Sequence, residues 1–260
     1  MSTPPVQLTR EVRFQLPAHP VDPKEHIRNS WSGWPKTLTI APFITVRVTL
    51  VGPIAASGFI ANVKTIDRAV RDCCVSDLMQ STDKSASTTA VRQFELIKAA
   101  TPDGTELVRL ELCATPHQSF TVSAESPTMA ILTQQFEFSA AHRLHCEELS
   151  AEENRELFGK CNNPNGHGHN YVLDVSVAAG DGEVDLHKFE SVVCEQVIDR
   201  FDHKHLDIDV PEFQSLNSTV ENIAAVVWQK LEPHLPTLQR VRVYETPKTW
   251  AEVTTEAVAK

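Results

Sequence analysis

Long apolar runs, paired cysteines and an excess of positive charge are all missing from this chain. No stretch of its 260 residues is apolar for long enough to cross a bilayer. The opening, Met-Ser-Thr-Pro-Pro, has neither a basic start nor an apolar segment behind it, so no secretory signal is expected. The six cysteines include no Cys-x-x-Cys pair and no disulfide-framework spacing, and Cys73 and Cys74 are adjacent. Reduced thiols and a cytoplasmic protein are the expectation. The net charge of −10 is uneven. Residues 1–130 hold 13 Lys and Arg against 12 Asp and Glu, and residues 131–260 hold 11 against 22. An acidic half argues against nucleic acid as a partner, because phosphate contacts need a basic surface. It leaves room for a small anionic substrate gripped by a local cluster, for which Arg143, Lys160 and Lys204 are candidates.

What is present is an ordinary globular composition, with 41% hydrophobic and 22% charged residues, and enough length for one large domain or two ordinary ones. Residues 1–10 read as a loose leader, Val12–Leu16 as a short strand and Pro17–Lys36 as an irregular excursion. Thr37–Val51 alternates as a half-buried strand does, with Ile44, Val46, Val48 and Leu50 on one side. Helices are expected within Phe59–Asp77 and over Thr88–Ala100, with a polar linker at Gln80–Ser87. A hairpin from Glu106–Cys113 and Gln118–Ser123 follows. After a junction at 124–132 the order begins again. A strand at Gln134–His142 leads to an excursion with helical character and a strand at Asn170–Ala178. A helix capped by Asp185 and a helix behind the capping-box pattern Ser218-Thr-Val-Glu221 come next, then a last strand pair at 241–253. Both halves thus read strand, excursion, strand, helix, helix, strand, strand. With local matches such as Val12-Arg-Phe-Gln-Leu against Gln135-Phe-Glu-Phe, this suggests a duplication.

Chemistry concentrates in Cys161-Asn-Asn-Pro-Asn-Gly-His-Gly-His169. His167 and His169 are two apart, so on a strand both imidazoles face one way. Pro164-Asn165-Gly166 is turn chemistry that would fold Cys161 back toward them. His142 shares strand parity with Phe136, Phe138 and Ala140. Three histidines without an obvious fourth ligand fit a catalytic zinc site with one open position, rather than a closed structural one.

Five motifs carry a resemblance. Phe138-Ser-Ala-Ala-His-Arg-Leu144, Leu157–Tyr171 around the His-x-His pair, Asp202-His-Lys-His-Leu-Asp207, Ser218-Thr-Val-Glu-Asn222 and Tyr244-Glu-Thr246 resemble the 6-pyruvoyl tetrahydropterin synthase family, in its order and at its spacing. The first half resembles it only in layout. The resemblance implies an α+β chain of tandem tunnelling-fold units. Each is an antiparallel four-stranded sheet with two helices on one face, and such units oligomerise into a barrel. Residues 1–128 would be a degenerate unit without a metal site, and residues 129–260 the catalytic unit. A homo-oligomer of three chains or a multiple of three is implied, with no membrane and no nucleic acid as partner.

The same resemblance assigns roles. His142, His167 and His169 would hold zinc, and Cys161 would be the general base. Asp202 and His203 would tune proton transfer, Glu245 would anchor the pterin ring, and Thr219 is a weaker candidate for a ring contact. His205 is an equally placed neighbour that only the family register sets aside. Ser218 and Glu221 are accounted for by the helix cap, and His145, His187 and His234 read as surface residues. The implied reaction is triphosphate elimination from 7,8-dihydroneopterin triphosphate to give 6-pyruvoyl tetrahydropterin, with magnesium accompanying the triphosphate. Two alternatives are a 6-carboxytetrahydropterin synthase and a non-catalytic zinc- or pterin-binding assembly protein. The six-residue step from Cys161 to His167 and the Asn-Asn-Pro-Asn between them resemble the pyruvoyl-forming branch.

Overall fold

Alternating side chains build the strands of each unit, and helices between them cover one face. A computed structural model of the chain describes residues 6–16, 40–80, 85–179 and 183–255. The chain divides into two compact units, one of Met1–Leu132 with Ala179–Glu183, the other of Thr133–Ala178 with Val184–Lys260.

In the first unit β1 (Val6–Gln15), β2 (Phe43–Gly52), β3 (Glu106–Thr115) and β4 (Gln118–Ser123) lie side by side in that order. Their printed pairings are antiparallel. Two helices, α1 (Val63–Gln80) and α2 (Ala86–Ala99), come between β2 and β3. One parity of the strands is apolar, and Phe14, Val46, Val48, Leu110 and Val122 are buried together with Val70, Cys74 and Phe94 of the helices. The other parity is charged. Arg47 pairs with Glu11 at 2.7 Å and with Glu111 at 3.0 Å across adjacent strands. That arrangement solvates one face while the apolar parity fixes the register.

Several expectations shift here. The presumed leader is already strand from Val6, because Val6, Leu8 and Arg10 continue the pairing with β2. The linker at 80–87 is shorter, since Gln80 closes α1 and Ser85 already caps α2 by accepting from the Thr88 N–H. The excursion at 17–36, with His19 and His26, lies outside the described residues.

β5 (Ser126–His142) begins where a linker was expected, and its residues from Thr133 onward belong to the second unit. The Ser-Pro-Thr-Met run reads as a break, but Ala130 and Leu132 alternate inward and carry it as strand. In the second unit the sheet order is β5, β6 (His167–Ala179), β8 (Leu238–Thr246) and β9 (Thr249–Thr254). A two-residue β7 (Lys204–His205) lies parallel to Ala140–Ala141 of β5. Before β6 come α3 (Ala151–Phe158), with a complete Ser150–Glu153 capping box, and a 3-10 turn over Gly159–Asn162. After β6 come α4 (Leu186–Val193), a π-turn at Cys194–Ile198, α5 (Asp199–Phe201), α6 (Leu206–Asp209) and α7 (Val220–Leu231). Asp185 caps α4 as expected, accepting from the Lys188 N–H at 3.0 Å. The cap of α7 is one residue later than the sequence pattern suggests. Thr219 is the N-cap and accepts from the Asn222 N–H, which leaves Ser218 fully buried and Glu221 exposed in the first turn.

The core of this unit is aromatic. Phe138 stacks on Tyr171 at 4.9 Å and meets Phe201 edge-on at 5.7 Å, and Phe136 meets Phe189 at 5.9 Å. Such pairs add about 0.5–1.5 kcal/mol each beyond area burial. The fold class is α+β, with antiparallel sheets and helices packed on them.

Candidate metal centre

The strand parity that fills the second core also builds the site. On β6, Tyr171, Leu173 and Val175 point into the core, so His169 and His167 point the same way from the start of that strand. On β5 the same holds for Phe138, Ala140 and then His142 at its end. On β8 it holds for Val241, Val243 and then Glu245. Where the apolar side chains stop, the polar ones meet.

His142, His167 and His169 each offer a ligand atom within 4.8 Å of the others. His142 is fully buried, and its Nδ1 is 2.8 Å from the Ser218 carbonyl oxygen. A carbonyl only accepts, so Nδ1 carries a proton and Nε2 is the nitrogen left to face a metal. That Nε2 faces His167 Nε2 at 3.1 Å, while His167 Nδ1 and His169 Nε2 are buried with no hydrogen-bond partner. Burial and the neighbouring imidazoles hold His167 below the ordinary imidazole value, and burial does the same for His169. Neutral imidazoles with orphaned nitrogens and a fixed tautomer are what a divalent cation needs. The donor set therefore fits a metal ion.

Glu245 Oε1 lies 3.5 Å from His142 Nε2 and 3.7 Å from His169 Nε2. The resemblance names Glu245 as a ring anchor and not as a neighbour of the histidines; strand parity along Val241, Val243 and Glu245 places it there. Asp207, given no role from sequence, accepts from the Arg143 N–H at 2.6 Å and pins the residue next to His142.

Cys161 lies in the 3-10 turn, half-buried and free, and its carbonyl accepts from the Leu144 N–H at 3.0 Å. The thiol is thus on backbone tied to the end of β5. Asn162 locks the same turn. Its amide donates to the Leu144 carbonyl at 2.7 Å and reaches His145 Nδ1 at 3.0 Å. His145, expected at the surface, is therefore engaged. Gly166, at φ 69°, closes the turn by donating to the Asn163 carbonyl at 2.8 Å.

Asp202 and His203 form a pair apart from the histidine cluster. Asp202 accepts from the Ser139 N–H at 2.7 Å and sits 2.7 Å from His203 Nδ1, and these two bonds hold its carboxyl below the usual range. Ser139 is three positions before His142, or about 10 Å along an extended strand. His203 has φ 57°, and its side chain is 83% exposed. His205, its rival in sequence, instead turns inward beneath Gly166. Thr219 serves as the helix cap and retains its own O–H to donate.

The 6-pyruvoyl tetrahydropterin synthase family model matches residues 131–256. The human 6-pyruvoyl tetrahydrobiopterin synthase is 46% identical over 127 residues, which cover 45% of this chain and 86% of that protein. The Dictyostelium discoideum protein of the same name is 40% identical over 122 residues, covering 45% and 89%. The chain belongs to the 6-pyruvoyl tetrahydropterin synthase family. It is a family member through its second half, and with that membership it is a lyase. The solved structure of the Caenorhabditis elegans 6-pyruvoyl tetrahydropterin synthase is similar to 48% of this chain and covers 95% of its own, at 40% identity and a TM-score of 0.46. Among the described residues, no helix is long and apolar enough to cross a membrane.

Proposed function

We propose that the chain is a zinc-dependent 6-pyruvoyl tetrahydropterin synthase acting on 7,8-dihydroneopterin triphosphate. The observation that carries this reading is the convergence of three histidines, two of which keep a buried nitrogen without a hydrogen-bond partner. Three imidazoles form a donor set that suits zinc, as it does other borderline divalent ions, with a position left for substrate oxygen. Bound there, the ion would supply positive charge that acidifies the substrate's side-chain hydroxyls.

This chain's residues take the remaining tasks. Cys161, as thiolate, removes the carbon-bound side-chain proton, and its turn is braced by Asn162 to keep the sulfur in place. Asp202 holds His203 with Nδ1 as donor, which turns the Nε2 lone pair outward to carry a proton. Glu245 accepts from the pterin N–H groups, and Thr219 offers a further ring contact. Magnesium would accompany the triphosphate, not the histidines, because hard oxygen ligands suit it.

The first unit serves as scaffold, a degenerate copy of the second without its own metal. Its thiols are poor nucleophiles, since burial pushes Cys74 far up and Cys113 up to about 11. The shared order of strands and helices supports the tandem reading, and the exposed edges β1 and β9 support assembly into a trimer or a multiple of it. Six free cysteines agree with a reducing, cytoplasmic setting.

The test is a mass-spectrometric product assay of zinc-loaded protein given 7,8-dihydroneopterin triphosphate, with Cys161→Ala as control. A 6-pyruvoyl product lost in the control is expected. A 6-carboxy product would move the chain to the carboxy-forming branch. Zinc binding without turnover would leave a binding protein.

A further inference from the structure

Among the described residues, Tyr171 is the largest side chain that is fully buried. Its exposure is 0%, and its ring is stacked on Phe138. It shares a strand face with His169 and His167. Its ring centre is 5.5 Å from that of His169 and 6.1 Å from that of His142. As packing, the ring needs no explanation. The hydroxyl does, because its oxygen is buried and has no hydrogen-bond partner. A buried O–H left unpaired is destabilising, and phenylalanine would fill the same space without that cost. A phenol is protonated at neutral pH, so the group is a donor. The contacts of its ring with those of His169 and His142 place it beside the histidine centre, not in the far core.

We infer that the Tyr171 hydroxyl donates a hydrogen bond to a side-chain oxygen of the pterin held at the three-histidine centre. Tyr171 then contacts substrate, and its unsatisfied hydroxyl in the free protein is completed only by the ligand. The inference rests on the reading of this centre as a pterin site given above.

The experiment uses the full chain, zinc-loaded, as wild type and as Tyr171→Phe. Two probes are titrated calorimetrically: 7,8-dihydroneopterin, which carries side-chain hydroxyls but no triphosphate to eliminate, and 6-methyl-7,8-dihydropterin, which has no side-chain oxygen. We expect Tyr171→Phe to weaken the first roughly three- to tenfold and the second less than twofold. Zinc content is expected to stay the same, and the melting temperature of the metal-free variant to be equal or higher. Equal losses for both probes, no loss for either, or a lower melting temperature in the metal-free variant would each overturn the inference. Wild-type protein that binds neither probe would overturn the pterin-site reading, and the inference with it.

Discussion

Glu245 Oε1 stands 3.5 Å from His142 Nε2, on strands that reach this point from opposite ends of the chain's second unit. The resemblance makes this carboxylate a ring anchor. Its place beside the histidines would put a carboxylate where the proposed reaction moves protons. If Glu245 serves proton transfer as well as the proposed ring contact, Glu245→Gln is expected to bind zinc as wild type does and to lose kcat by about 10²–10⁴-fold, the range for a positioned acid or base. Steady-state kinetics beside metal analysis checks this. A rise in KM with kcat unchanged would confine Glu245 to holding the ring.

The imidazoles give a pH dependence with a definite sign. His167 and His169 are held below the ordinary 6.5 in the folded protein, chiefly by burial. As pH falls, the unfolded chain therefore takes up protons first. Stability of the metal-free fold is complete above 6.5 and is lost as pH drops through the depressed folded values. Protons also compete with the metal in the same direction. The melting temperature of chelator-treated protein is expected to fall between about pH 7 and about pH 5. A His167→Gln, His169→Gln double variant should show a smaller fall. Glu11 and Glu212, whose carboxyls are also held low, act below their ordinary 4.5 and leave that window clear.

Much of this could be read from residue order. Period-two alternation identified β2, β6 and the last strand pair, because one face of each sheet is apolar and the other charged. The two histidines of His-Gly-His were legible because strand parity alone aligns them. Glu245 and Tyr171 were harder, since their neighbours in space come from distant strands, and a tyrosine among Leu173, Val175 and Val177 reads as core. The start of β1 was missed because Gln7, Thr9 and Arg10 look like leader residues until β2 pairs with them. His203 and His205 are equivalent in sequence. They separate only because a left-handed backbone at His203 turns one outward, while β7 carries the other under the turn.

The register of the α7 cap is a second point where sequence and structure part. Ser218 and Thr219 both look like capping residues, yet Thr219 accepts from the Asn222 N–H, while Ser218 Oγ is buried without a partner. What Ser218 contributes is its carbonyl, which fixes the His142 tautomer. Thr219→Ala is expected to cost about 1 kcal/mol in urea unfolding. Ser218→Ala should be neutral or mildly stabilising and keep zinc affinity unchanged, because the carbonyl remains. The reverse ranking would restore the cap to Ser218.

Gly166 joins the thiol-bearing turn to the first histidine of β6. A Cβ there would meet His205 Nε2 at 2.6 Å and the His142 carbonyl oxygen at 2.9 Å, on a backbone at φ 69°. Alanine is disfavoured at that φ by about 1–2 kcal/mol, and the crowding adds about 1–3 more. The His205 ring has little room to yield, since its backbone is pinned to β5 and its N–H donates to Asp209 at 2.8 Å. The strain should therefore pass to His142 and His167. Gly168→Ala makes the control, because its Cβ would find only the Ala140 carbonyl at an ordinary 3.6 Å. We expect Gly166→Ala to lose about 2–4 kcal/mol and to bind zinc more weakly, and Gly168→Ala to stay within about 0.5 kcal/mol of wild type. Urea unfolding with and without zinc separates the two effects. If strain spreads to the ligands, the deficit of Gly166→Ala grows when zinc is present. If the turn absorbs it alone, the deficit is the same in both.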